Sequence, residues 1–382
     1  MVVSSERSLS SLSESEILER GIQILKQIVP DAWEVKLEDG PDGSVGKRGD
    51  AMLSIAVAKQ HHLRTIVDAR RSFAPRDVGT VLGGKKALLQ RVQGELPFMV
   101  VAPSLSDRAR ALLAENGYNF LDLAGNVRIS SNFPPIYIDR VSGTKTGYPR
   151  QRAAAGIRGD KAGRIVRLLA DVMPPYGIVE LAAAAGVTPG YVSKVAELLE
   201  REAIIGRTPR GGIESVDWRE LLRLRAQAYA VLETNAVTRY VSPNGPAFAL
   251  ECARDIRLQG AACTGSFAAA ALAPVAASTT LMLYVTRDEQ ALIDQARLLP
   301  ADEGANVFLL RPYDEVVLQR LYQPGPLKST IPAVACAQAA LDCLTGLGRM
   351  PAEGEALMDW MAINEDKWRR PNLAAALDPR NA

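Results

Sequence analysis

The stretch that most limits how this chain can fold is residues 178–195. An alanine-rich run over about 179–185 forms a short helix, and Gly186 stops it, because glycine enters the left-handed conformation without a Cβ penalty. Val187 can drop into a small core. Thr188 then offers a hydroxyl cap, and Pro189 suits the first position of a second helix. That helix spans about 189–202, with Val192, Val195, Ala196 and Leu199 at helical spacing on one face. Its other face carries Gly190, Tyr191, Ser193, Lys194 and Glu197. Such a helix packs through one side and leaves short polar groups on the other.

The flanks extend the pattern. Ile165, Val166, Leu168, Leu169 and Val172 give residues 160–172 the apolar side of a supporting helix, ended by Pro174-Pro175. Residues 203–208 and 212–216 have the makeup of two short strands, and Pro209-Arg210-Gly211 makes the turn of a hairpin with an arginine near its tip. Residues 150–225 hold 13 Lys/Arg against 9 Asp/Glu, so this segment is net +4 while the rest of the chain is net −2. Any nucleic-acid footprint is therefore local. The plainer alternative is a helical hairpin inside a larger fold.

Taken in this order, the turn, helix and basic hairpin resemble winged helix-turn-helix bacterial regulators. The resemblance implies that the helix 189–202 reads the major groove of double-stranded DNA: Thr188, Pro189 and Gly190 enter with it as DNA-binding residues, and Tyr191, Ser193 and Lys194 come nearest base edges or phosphates. It also implies that the wing 204–216 reaches the backbone or minor groove through Arg207 and Arg210, neither of which has an obvious acidic neighbour in sequence. A homodimer is expected, because one such helix reads too few base pairs for useful specificity.

A length of 382 residues, with 47% hydrophobic and 23% charged content, allows two or three globular domains. Cys252, Cys263, Cys336 and Cys343 show no CxxC spacing, and the two histidines are adjacent at His61-His62. A Cys/His zinc site is not expected, no cofactor is called for, and reduced thiols fit a cytoplasm. The N-terminus lacks the apolar core of a signal peptide. Residues 258–286 contain no charged residue, yet their Ala, Ser and Thr content and the breaks at Gly260, Gly265 and Pro274 read as a buried helix feeding a buried strand rather than a membrane span.

Along the chain, the Ser-rich residues 1–13 are expected to be disordered, and 14–29 to form an amphipathic helix. Strand-like runs follow at 33–38, 51–57 and 63–69, with a turn at 39–48, then a helix over about 75–92 and an apolar strand at 97–102. Next come a helix at 106–116 and short strands at 119–123, 127–130 and 136–138. Helix, three strands, helix, strand is similar to the core of the PD-(D/E)xK nucleases. That family needs two carboxylates and a lysine converging on a metal ion and the attacking water. Asp50 and Asp68 stand at the matching places, but Asp68-Ala69-Arg70 puts arginine where lysine belongs, and arginine does not give up a proton. The resemblance therefore implies a nuclease-like domain without catalysis, and a metal-dependent nuclease as the rival reading. In the next segment Asp122, Asn126 and Arg128 are the conspicuous polar residues, and Ala124-Gly125-Asn126 also reads as a hairpin turn.

After the wing, 218–231 reads as one helix, 247–259 as another, and 281–285 and 306–310 as strands flanking a helix at 289–298. The run 304–314, then 333–345 and Gly346-Leu-Gly-Arg-Met-Pro-Ala-Glu-Gly-Glu355, resembles the C-terminal domain of type IV abortive-infection antitoxins over roughly 226–361. The resemblance implies a possible toxin protein as partner. It also relates the domain in shape to minimal nucleotidyltransferases, where Gly265-Ser266 would cradle phosphate. The strand Leu281-Met-Leu-Tyr-Val285 offers no carboxylate for metal, which argues against transfer chemistry.

The expected architecture is an α+β multidomain chain: a nuclease-like α/β domain at 1–142, a basic linker at 143–159, a winged helix-turn-helix at 160–225 and an antitoxin-like α/β domain at 226–382. The expected function is a cytoplasmic, non-enzymatic, sequence-specific DNA-binding regulator.

Overall fold

The structure, a computed structural model, describes residues 12–38, 50–58, 61–79, 96–142, 156–323 and 331–377. The turn expected at 39–48, most of the helix expected at 75–92 and most of the basic linker lie outside the described residues. The fold is mixed α+β, with sheets of seven, five and two strands. The chain divides into two compact units, one over residues 1–150 and one over 151–382 apart from 201–203.

The first unit opens on helix α1 (Glu14–Ile28). Ser13 caps it: the Ser13 hydroxyl accepts from the Glu16 N–H at 3.3 Å, and the Glu16 carboxylate accepts from the Ser13 N–H at 2.8 Å. Leu12 is buried just ahead of the cap. This reciprocal cap and one apolar anchor hold residues 12 and 13, which the serine-rich composition places in a disordered stretch; residues 1–11 lie outside the described residues.

The seven strands are β1 (Glu34–Glu38), β2 (Asp50–Ala58), β3 (His61–Ala69), β4 (Phe98–Ala102), β5 (Asn119–Asp122), β6 (Val127–Ser131) and β7 (Ile136–Arg140), in sequential order in the sheet. The β3–β4 and β4–β5 pairs are parallel and the rest antiparallel. Alternate residues of β4 serve opposite faces. Met99 and Val101 join α1 residues Ile17 and Leu25 in one core, while Phe98, Val100 and Ala102 meet Ala109 and Leu113 of α2 (Asp107–Glu115) in another. Gly21 lets α1 approach this closely, since a Cβ there would stand 2.9 Å from the Val101 side chain.

The second unit begins with three helices, α3 (Asp160–Asp171), α4 (Ile178–Ala185) and α5 (Pro189–Arg201), and a hairpin, β8 (Ile205–Arg207) and β9 (Ile213–Val216). Helix α6 (Trp218–Ala226) ends before the expected 231. The chain turns there so that Tyr229 points inward, where its hydroxyl donates to the buried Asp342 at 2.7 Å, and a one-turn helix α7 (Val231–Thr234) follows. Then come β10 (Ala236–Val241), α8 (Pro246–Asp255), β11 (Ala261–Thr264), α9 (Gly265–Ala270), β12 (Leu281–Val285), α10 (Glu289–Ala296), β13 (Leu299–Pro300) and β14 (Val307–Arg311). The unit closes with α11 (Cys336–Leu344), α12 (Met350–Ile363) and the short α13 (Glu365–Trp368) and α14 (Leu373–Leu377).

Its sheet has the order β11-β12-β14-β10-β13, parallel only at β12–β14. The uncharged stretch 258–286 is thus strand, short helix and strand. Gly265 (φ +63°) makes the sharp change from β11 into α9, so no long helix forms there, and among the described residues no helix is long and apolar enough to cross a membrane. One core cluster runs from Ile157 through Leu169, Leu181, Val195 and Leu222 to Tyr284, Leu341 and Leu357, and so spans the boundary read at 225/226. The sheet's other face packs on α8 and α10.

Candidate nucleic-acid interface

Local chemistry builds the α4–α5 corner. Gly186 is left-handed (φ 62°, ψ 39°), and the Val187 N–H returns to the Ala182 carbonyl at 3.0 Å, which closes α4. The Thr188 hydroxyl accepts weakly from the Tyr191 N–H at 3.4 Å, and Pro189 opens α5. Val192, Val195, Ala196 and Leu199 are buried with Ile165, Leu169 and Leu181 from the two preceding helices. Thr188, Pro189, Gly190, Ser193 and Lys194 are exposed. A Cβ on Gly190 would meet nothing within 4 Å, so this turn is open to an approaching surface. Tyr191 departs from the outward position expected of it: it is half-buried and packs against the core, because a ring this size next to Val192 gains more from apolar contact than from water.

The hairpin pairs Ile205 with Val216 and Gly206 with Ser215, then bulges before Arg207, which faces Ile213. Tyr176 adds a further antiparallel bridge to Ile213. Arg207 corrects the sequence reading. Its guanidinium donates to the Gly211 carbonyl at 3.2 and 3.3 Å and lies 3.5 Å from the Glu200 carboxylate. It ties the wing turn to itself and to α5, a pairing invisible in sequence because Glu200 lies on another element. Arg210, at the turn, is exposed.

Other cations of the basic segment are also buried or paired with acids. Arg167 and Arg225 are buried, Arg164 forks onto Asp314 at 2.8 and 2.9 Å, and Arg219 and Arg223 pair with Asp359 and Glu355. The exposed cations that remain there among the described residues are Arg158, Lys161, Lys194, Arg201 and Arg210. The usable positive charge is thus narrower than a count suggests, and Lys194 and Arg210 sit on the helix and hairpin in question.

Comparison with protein families, with curated proteins and with solved structures finds no match.

The positions singled out elsewhere have other duties. Asp50 and Asp68 face each other in the β2–β3 register, but the Asp68 carboxylate accepts from Arg70 Nε and Nη2 at 3.0 and 2.9 Å. Asp122 is a turn clamp: it accepts from the N–H groups of Leu105, Ala124 and Asn126 and from the Asn126 amide. Asn126 in turn accepts from Arg110 at 2.6 Å, and Arg128 pairs across the hairpin with Asp139. Ser266 donates to Glu353 of α12, and Thr264 donates to Asp342 of α11 at 2.6 Å, so both hydroxyls flanking Gly265 are committed to carboxylates.

Asp342 escapes a reading of the sequence. It is fully buried and accepts from Thr264, Tyr229, Tyr284 at 3.1 Å and the Gln338 amide at 2.8 Å. The one available signal is an acid inside the apolar run Ala339-Ala340-Leu341-Asp342-Cys343-Leu344. Burial raises its pKa, outweighing those four donors. A carboxyl whose pKa is raised by folding stabilises fully below its unfolded value, about 3.9, and that contribution is lost as pH rises through the raised value. Asp342→Asn should therefore flatten the fall in urea midpoint over that interval. An unchanged difference between the two proteins across the pH series would refute this.

Proposed function

We propose that this chain is a sequence-specific, double-stranded DNA-binding regulator acting as a homodimer in the cytoplasm. The observation that carries the reading is the division of α5: Val192 and Val195 are buried on a three-helix base while Gly190, Ser193 and Lys194 stand exposed in its first turns. That part of a recognition helix reaches deepest into a major groove. Ser193 and Lys194 supply a hydroxyl and an ammonium for base edges or phosphates, and Gly190 lets the backbone approach. Arg210 is the wing's DNA contact, and Arg207 holds the wing in shape. Tyr191 contributes its half-exposed edge. The nuclease reading draws no support from Asp68, whose carboxylate is taken up by Arg70.

Selection from a random duplex pool tests this. One motif repeated about a helical turn apart should be enriched, bound specifically in the 10⁻⁸–10⁻¹¹ M range. A pool that stays random would sink the proposal. Within it, Arg210→Ala should weaken binding to all sequences alike and reduce the salt slope by about one. Arg207→Ala should instead destabilise the hairpin. If the Arg210 variant keeps the full salt slope, the wing does not touch phosphate.

A further inference from the structure

The segment after α12 lies against the three-helix base and falls into two parts of unequal strength. The first is an anchor. Arg369 donates from Nε to the Ala170 carbonyl at 3.0 Å and from Nη2 to those of Val172 at 2.7 Å and Leu169 at 3.4 Å. One guanidinium thereby covers carbonyls that α3 leaves unpaired at its C-terminus. The Arg370 N–H donates to the Asp171 carbonyl, and the Met173 N–H donates back to Arg370. Trp368 meets Trp218 edge-on at 5.1 Å, and Glu365 accepts from the Trp218 indole at 2.6 Å and from Arg369 at 3.2 Å.

The second part is a tip. Helix α14 packs on α4, with Leu373 and Ala376 resting on the core cluster. Asn372 caps it by accepting from the Ala375 N–H at 2.8 Å. None of its residues is buried, and Leu377 is 55% exposed. Five residues cannot hold a helix alone in water, so α14 is helical because it is docked. Pro371 lies between anchor and tip.

We propose that residues 365–377 form a latch whose docked tip restrains α4, and so the Gly186 turn that orients α5. The anchor stays while the tip exchanges between docked and free. A free tip loosens α4 without unfolding the unit, because little apolar surface holds it. The consequence for DNA rests on the reading above; the coupling of tip to α4 does not.

Hydrogen exchange on the full chain tests the coupling. In the Leu373→Glu/Ala376→Glu double variant, amides at 178–187 should exchange about tenfold faster, while those of α11 and α12 keep their rates. Leu377→Glu, at an exposed position, should change neither. Unchanged exchange at 178–187 in the double variant overturns the latch, and so does a uniform rise across the whole unit, which would make the tip ordinary core. For DNA, the double variant should lose about tenfold in the ratio of specific to non-specific affinity. If faster exchange at 178–187 leaves that ratio intact, the latch does not govern reading and the proposal fails. If the unaltered chain selects no duplex sequence, the DNA reading falls and exchange alone judges the latch.

Discussion

Asp171→Ala is expected to cost the second unit about 3–5 kcal/mol, the range for breaking a buried ion pair by removing one partner. Asp171 Oδ2 accepts from Arg167 at 2.9 and 3.2 Å and from Arg320 at 2.8 Å, and all three side chains are buried. Burial alone would raise the Asp171 pKa, but the two guanidinium groups outweigh it and hold it below the usual carboxylate range. Its contribution is thus present above an unfolded value of about 3.9 and lost as pH falls through the depressed one. Alanine would strand two arginines in the core. Against an ordinary total stability of about 5–15 kcal/mol, that is a large share. Asp359→Ala supplies the contrast: its carboxylate pairs with Arg219 but is 69% exposed, and such surface pairs are worth about 0–1 kcal/mol. Urea unfolding followed by tryptophan fluorescence, with Trp218 and Trp368 both in this unit, measures each. A loss below about 1 kcal/mol for Asp171→Ala would mean the cluster is solvated on opening or relaxes around the gap.

That cluster shows what the sequence could not convey. Arg167 and Asp171 are four apart on a helix, which reads as an ordinary solvated pair. Only the third partner, Arg320, makes it a buried triad, and nothing local announces an interaction across 149 residues. Arg207 misleads for the same reason, since its acid lies on a neighbouring element and its main partner is a backbone carbonyl. Helix α6 reads too long because its periodicity continues past Ala226, while the pull on Tyr229 comes from Asp342, distant in sequence.

Where one or two residues decide the outcome locally, the sequence is sharper. Gly186 and Pro189 fix the α4–α5 corner by backbone conformation alone, and the helix expected at 189–202 is found at Pro189–Arg201. The strands of the first unit are legible from apolar runs. Their pairing, with the parallel β3–β4–β5 set between antiparallel strands, is not, because register depends on interactions between runs rather than within them.

The combined replacement Ser193→Ala/Lys194→Ala is expected to collapse discrimination between specific and non-specific duplexes while leaving the fold intact. Both side chains are exposed, so surface substitution should shift stability by no more than about 0.5 kcal/mol. Truncating a side chain that truly reads a base costs about 1–3 kcal/mol at the cognate site, roughly five- to 150-fold in affinity, and far less on random sequence. Lys194 adds a test of kind. If it meets a phosphate, Lys194→Ala weakens all sequences and the salt slope drops by about one; if it meets a base, the slope holds and selectivity falls. Tyr191→Ala is the wrong probe, since its ring packs on the core and its removal would lower the melting temperature whatever it touches outside. Titration of cognate and scrambled duplexes at two salt concentrations separates these cases. A double variant that still selects the same sequence would move recognition off α5, and the DNA reading of this corner would fall with it.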